Sequence, residues 1–171
     1  MGQVGVQAAR LLGADRVAAA CRDAAGRARA AELGADAVAD VSGDDVDAIA
    51  TRLAKATADR VDLVLDPVWG RPAEAAMRIL SPHGRLVNLG SSAGPLASFS
   101  SASLRSGMQS VIGYTNNALS YQQKAKALGE ILTHAAAGRL AVDHETMTLE
   151  QAADGWARTG QAPYRRAVLM P

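Results

Sequence analysis

Apolar positions along this chain switch repeatedly between a helical and a strand period. Val4, Ala8, Leu11 and Leu12 fall at helical spacing, and Gly13 is placed to stop that helix. The short apolar run Arg16–Cys21 predicts a buried strand. Ala24 to Leu33 predicts a helix ending at Gly34, and Ala37 to Val41 a second strand. Asp44 or Asp45 can cap a helix that runs to Thr57. Val61-Asp62-Leu63-Val64-Leu65-Asp66, rich in β-branched residues and closed by Pro67, is the clearest strand of the chain. Pro72 sits near the start of a predicted helix that continues to Leu80, where its missing N–H costs nothing. Ser81 to Gly84 reads as a turn, Gly84 to Gly90 as a strand, and Ser91 to Ser103 as a Ser/Ala/Gly-rich loop. Gln109 to Tyr114 predicts a strand. Tyr121 to Ala137 predicts a long helix whose Leu128, Ile131 and Leu132 share one face, as a core-packed helix requires. A strand at His144–Thr148, a helix at Leu149–Arg158 and a strand at Arg166–Met170 complete the pattern. Short apolar strands alternating with helices predict an α/β fold with a parallel sheet covered on both faces.

Composition narrows the function. The 171 residues are 49% hydrophobic but only 4% aromatic, so the core is built of Ala, Val and Leu. With 18 basic and 17 acidic residues the formal charge is +1, and no basic stripe or polybasic tail points to nucleic acid or a membrane surface. No apolar run approaches the roughly 20 residues of a transmembrane span. Polar residues interrupt Val4 to Leu12, so the N-terminus lacks a signal-peptide pattern. Cys21 is the single cysteine, which excludes an internal disulfide and a cysteine-rich zinc cluster. A cytoplasmic location is the expectation.

Several stretches, in order, carry a family resemblance. Met1 to Ala14 reads as the tail of a glycine-rich dinucleotide-binding turn running into its helix, with Gly2, Val6-Gln7-Ala8-Ala9-Arg10 and Leu12-Gly13-Ala14 matching. Ala31-Glu32-Leu33-Gly34-Ala35-Asp36, Val61 to Gly70, Gly84-Arg85-Leu86-Val87-Asn88-Leu89-Gly90, Ala137-Gly138-Arg139-Leu140 and Arg166-Ala167-Val168-Leu169 follow. Together they resemble the cofactor half of medium-chain dehydrogenases/reductases, the quinone-reductase-like and alcohol-dehydrogenase-like enzymes. The resemblance implies a Rossmann-like, doubly wound parallel sheet of order 3-2-1-4-5-6 that binds a nicotinamide cofactor. It also implies a preceding catalytic domain, which holds the metal in zinc members. Departures are informative. No part of that domain is matched, and Gly2 falls on the last glycine of the turn, with Met1 where the family often has valine. The expected fold therefore lacks its first, central strand. Residues 1–138 would form the truncated cofactor domain, and residues 139–171 would return to the catalytic domain. In-frame DNA upstream is expected to encode the missing parts. The chain alone is expected to bind NADPH poorly and to reduce nothing at a useful rate. The resemblance further implies a homodimer through the strand Gln109 to Tyr114.

Candidate site residues follow from the same alignment. Gly2 would let the backbone approach the cofactor pyrophosphate at a helix N-terminus; the bland reading is a plain terminal residue. Arg22 stands where an NAD site offers a carboxylate to the ribose hydroxyls. A fixed cation there suits a 2′-phosphate and implies NADPH, with Arg27 assisting one turn later. The alternative is an exposed loop arginine beside Asp23. Asp66, Pro67 and Val68 end one strand and Gly90, Ser91 and Ser92 the next, on the edge where open α/β sheets bind ligands. Ordinary strand-end turn chemistry would account for them equally well. Tyr114 and Asn116 are weaker candidates at a third strand end. His83, His134 and His144 have no metal-ligand spacing, and zinc binding by this chain is not expected. Cys21 is either a reactive thiol beside Arg22 or a small strand-end residue. No catalytic acid, base or nucleophile is assigned. The implied activity is hydride transfer from NADPH to a small molecule, a quinone, enone or similar carbonyl compound. A non-enzymatic remnant, or a nucleotide-binding module that needs a partner chain, is the alternative. A methyltransferase-type Rossmann domain is a more distant one.

Overall fold

A computed structural model of the chain describes residues 1–58, 60–161 and 166–171. Helices and strands alternate as α1 (Gly2–Leu11), β1 (Ala18–Cys21), α2 (Ala24–Glu32), β2 (Ala37–Asp40), α3 (Val46–Thr57), β3 (Val61–Asp66), α4 (Gly70–Arg78) and β4 (Leu80–Asn88). They continue with α5 (Ser101–Gly107), β5 (Ser110–Gly113), α6 (Tyr121–Ala136), β6 (His144–Thr148), α7 (Ala152–Gln161) and β7 (Arg166–Met170). Local chemistry sets these limits. Asp45 caps α3 by accepting from the Asp47 and Ala48 amides at 2.9 and 3.2 Å. Asp23 caps α2 through the Gly26 amide at 2.6 Å. Ser120 and Gln123 form a reciprocal capping box at the start of α6.

All strand pairs are parallel, and they fall into three groups: β1–β2, β3–β4–β5 and β6–β7. The first two groups are the expected sheet order with the central strand left out; β1 and β3 do not pair. What joins them is the core on one face. Ala39 and Val41 at the end of β2 pack with Ile49, Ala50 and Leu53 of α3, Ala73, Ala76 and Met77 of α4, and Leu80 and Leu86 of β4. Ile49 and Leu86 are wholly buried. On the other face α1 lies toward β3: a Cβ placed on Gly5 would come within 3.9 Å of Leu65 Cδ1. The C-terminal unit is tied to α1 by two side-chain amides one turn apart. Gln7 donates to the Ala141 carbonyl (2.7 Å) and accepts from its amide (2.9 Å), and Gln3 accepts from the Asp143 amide (2.8 Å).

Pro72 lies near the start of a helix as expected: α4 begins at Gly70, where Trp69 and Gly70 take positive φ (60° and 61°) and turn the chain. Three sequence expectations are corrected. Ser81–Gly84 is a turn embedded in β4 rather than preceding it. Val61 pairs with Leu80 and Leu63 already with Arg85, so β4 bulges out over this segment, with His83 at φ 62°. The loop expected over Ser91–Ser103 ends in helix α5, capped by Ser100 accepting from the Ser103 amide. The expected burial of α6 is also not found: Leu128, Ile131 and Leu132 are 56%, 46% and 58% exposed. The sheet residues that could cover them, Leu65 and Ile112, are themselves about half exposed, so neither surface buries the other. Among the described residues no helix is long and apolar enough to cross a membrane.

Candidate functional site

The candidate residues gather in two groups at the carboxyl ends of the strands. In the first, β1 runs into α2 through Cys21, Arg22 and Asp23. Arg22 is exposed, and among the described residues its guanidinium has no ionic or hydrogen-bonding partner. Arg27 differs. Its Nη1 donates to the Arg22 carbonyl (3.1 Å) and the Cys21 carbonyl (3.4 Å) and lies 3.2 Å from Asp40 Oδ2. Burial pushes the Cys21 thiol above its ordinary range; the Asp23 charge adds to this and Arg27 opposes it. That environment disfavours the thiolate and with it a reactive cysteine.

In the second group, the ends of β3 and β4 interlock. Asp66 is 4% exposed, and its carboxylate points into its own loop. Oδ1 accepts from the Val68 and Trp69 amides at 3.1 and 2.9 Å, and Oδ2 from Asn88 Nδ2 at 3.3 Å. Asn88 Nδ2 also donates to the Gly90 carbonyl at 2.7 Å. Gly90 must be glycine, because a Cβ there would sit 2.7 Å from the Pro67 carbonyl oxygen. The Val68 carbonyl accepts from the Ala93 amide at 2.7 Å. Trp69 holds φ 60°, ψ −160°, a backbone strained for a bulky side chain, and stacks edge-on to Phe99 with centroids 5.5 Å apart. Pro67 and Val68 are half-buried, while Ser91 and Ser92 are exposed at the rim.

Gly2 opens α1 in open space. The helix has no side-chain cap hydrogen bond at Met1. No hydrogen bond joins Gly2 to either group. The structure thus brings Asp66, Pro67 and Val68 against Gly90, and Arg27 against the Arg22 backbone, with Gly2 apart. Tyr114 is exposed, and its amide donates to the Asn88 carbonyl at 3.0 Å. Asn88, which ties Asp66 to Gly90 in this candidate loop, is the residue that sequence reasoning passed over. Its signal was a lone amide in the otherwise apolar run Leu86-Val87-Asn88-Leu89, where a buried polar group needs partners. His144 Nδ1 lies 2.8 Å from the Val142 carbonyl. Among the described residues no group of three or more His, Cys, Asp or Glu side chains could hold a metal ion.

The fold is shared with solved dehydrogenases and reductases. CurA of Vibrio vulnificus, whose crystal structure is a complex with NADPH, is 20% identical over 99% of this chain and 53% of its own, with a TM-score of 0.78. The quinone oxidoreductase of Pseudomonas syringae pv. Tomato DC3000 is 24% identical over 99% of this chain and 53% of its own, with a TM-score of 0.79. An alcohol dehydrogenase zinc-binding domain protein of Burkholderia ambifaria is 23% identical over 99% and 46%, with a TM-score of 0.82. The chain therefore spans about half the length of these relatives. No curated protein matches it in sequence. Residues 1–133 match the family described as zinc-binding dehydrogenase. That match covers most of the chain and bears out the resemblance to medium-chain dehydrogenases/reductases: the chain belongs to the zinc-binding dehydrogenase family.

Proposed function

We propose that this chain is the cofactor-binding part of an NADPH-dependent oxidoreductase that transfers hydride to a quinone, enone or similar carbonyl compound. The observation that carries the reading is the unpartnered Arg22 at the end of β1, beside the capped start of α2. A free guanidinium matches the geometry and charge of a ribose 2′-phosphate and offers no acceptor to the ribose hydroxyls of NADH. NADPH, when bound, supplies the hydride, and the residues of this chain bind and orient it. Gly2, at the N-terminus of α1, would take the pyrophosphate. The backbone at Pro67, Val68, Gly90, Ser91 and Ser92 would line the ribose and nicotinamide, with Asp66 holding that loop in shape from within. Residues 139–171 would pack on a catalytic domain, and the edge strand β5 would pair two copies.

Calorimetric titration tests the reading. Arg22→Ala should weaken NADPH binding about tenfold or more, the worth of a charge-assisted bond of roughly 1.5–3 kcal/mol, and leave NADH binding little changed. Equal losses for both cofactors would give Arg22 another role. Light scattering tests the pairing: Val111→Pro or Ile112→Lys should reduce the particle to a monomer.

A second reading, a module that binds nucleotide only together with a partner chain, is favoured by one observation. The half-sheets β1–β2 and β3–β4–β5 do not pair, and Leu63 and Leu65 on β3 are 48% and 46% exposed. Micromolar NADPH binding by the isolated chain, together with a sharp cooperative melt, would exclude it.

A further inference from the structure

The carboxyl ends of β1 and β2 hold three arginines with unequal freedom. Arg52 is fully committed: Nε donates to the Asp40 carbonyl and Nη2 to the Ser42 carbonyl, both at 2.7 Å. Arg27 is committed to the Cys21 and Arg22 carbonyls and to Asp40, and its side chain is 26% exposed. Among the described residues the Arg22 guanidinium is committed to nothing. The turn between β1 and α2 is thus fixed from two sides, by Asp23 on the Gly26 amide and by Arg27 on the two carbonyls that precede Asp23. Asp40 anchors the arrangement. Its carboxyl sits below the usual aspartate range, first through hydrogen bonds from Ser42 and then through the charges of Arg27 and Arg52, with its desolvation opposing them.

We infer that Arg27 is a positioning residue for the 2′-phosphate and not one of its ligands: it holds the Cys21–Arg22 backbone so that Arg22 alone meets the phosphate. This rests on the NADPH reading of the same turn. Turning Arg27 outward would strip donors from two carbonyls and take from the Asp40 carboxylate its ion-pair partner, as a group carrying about −1.5 to −2 charges at neutral pH binds at the same turn.

The test uses 2′-AMP and 5′-AMP, which need only the adenosine side of the site. Binding of both is titrated by NMR to the wild-type chain and to Arg22→Ala, Arg27→Gln, the double variant, Arg27→Lys and Asp40→Asn. Wild type should prefer 2′-AMP by roughly tenfold or more. Arg22→Ala should abolish the preference, and the double variant should lose no more than Arg22→Ala does. Lysine keeps the charge without the fork, so Arg27→Lys should fall with Arg27→Gln. Asp40→Asn gives opposite signs for the two roles. It should lower the preference if Arg27 positions the turn, and raise it if Arg27 is a ligand freed from its counterion. Multiplicative losses in the double variant, a preference kept by lysine, or a rise in Asp40→Asn would each overturn the inference while leaving the NADPH reading intact. A wild-type chain with no preference for 2′-AMP would overturn both.

Discussion

The two faces of the β3–β4–β5 sheet are made by the same strands and meet different fates. Paired residues in a parallel sheet share a face, and successive residues alternate. The row Val64, Leu86 and Val111 lies on the side of α3 and α4, where Leu86 is wholly buried and Val64 packs against the core. The next row, Leu65, Val87 and Ile112, lies on the other side, with Leu65 and Ile112 46% and 44% exposed. Both rows are equally apolar. The difference lies in what stands opposite: α3 and α4 bring Ile49, Leu53, Ala73 and Met77 down onto the first row. No comparable set reaches the second, and α6 keeps its own leucines exposed. Burial is thus a property of pairs of surfaces. Stability should be concentrated on one face and interaction potential on the other.

Leu86→Ala tests the buried face most strongly. Truncating a fully enclosed leucine leaves a cavity and should cost about 2–5 kcal/mol in chemical denaturation. An unchanged midpoint would dissolve the contrast between the faces. Next comes Asp66→Ala, which strips the partner from the Val68 and Trp69 amides and from Asn88; an unsatisfied buried donor costs about 1–3 kcal/mol. Asp66→Asn, which keeps one acceptor, should cost less. If alanine and asparagine cost the same, the loop is held by packing of Trp69 on Phe99 instead.

Acid should act on a third region. The Asp36 carboxyl sits below the ordinary aspartate range, first because it accepts from the Val17 amide (2.7 Å) and then because Arg10 of α1 pairs with it. A depressed folded-state pKa gives stability that is complete above the unfolded value and is lost as pH falls through the folded one. The loss therefore lies at and below the usual aspartate range, and neutral stability is untouched by it. Asp36→Asn should lower stability at neutral pH slightly and flatten the acid limb of the melt. An acid limb as steep as that of wild type would assign the effect to another carboxylate, with Asp40 the next candidate.

How far the sequence foretold all this depends on whether each cause was local. Strand β3 was readable from β-branched residues and Pro67, and the start of α3 from Asp45, because propensity and capping act within a few residues. Helix α5 was not, since Ser101–Gly107 carries no apolar period; only Ser100 marks its start. The Ser81–Gly84 turn was legible as a turn but not as a bulge, because its place inside β4 is set by pairing to β3. At the site, the glycine at position 90 and the strand-end location were legible. The inward aim of Asp66 and the different employment of Arg22 and Arg27 were not: two arginines five residues apart look alike until Asp40, on another strand, claims one of them.

The smallest expected effect on stability belongs to the bare face, and it decides whether that face is bare in solution. Leu65→Thr with Ile112→Thr removes apolar surface that is already about half in water. The double variant should cost no more than about 1 kcal/mol, well under the cost at Leu86. It should also bind less of a hydrophobic dye and aggregate more slowly on warming, since an exposed apolar sheet face is an association hazard. A loss of stability as large as that of Leu86→Ala would mean the face is covered in solution. Leu128→Thr on α6 would then name the cover. If α6 closes over the sheet within one chain, Leu128→Thr should destabilise to the same degree at every protein concentration. If the cover comes from a second copy, the loss should grow as the protein is diluted.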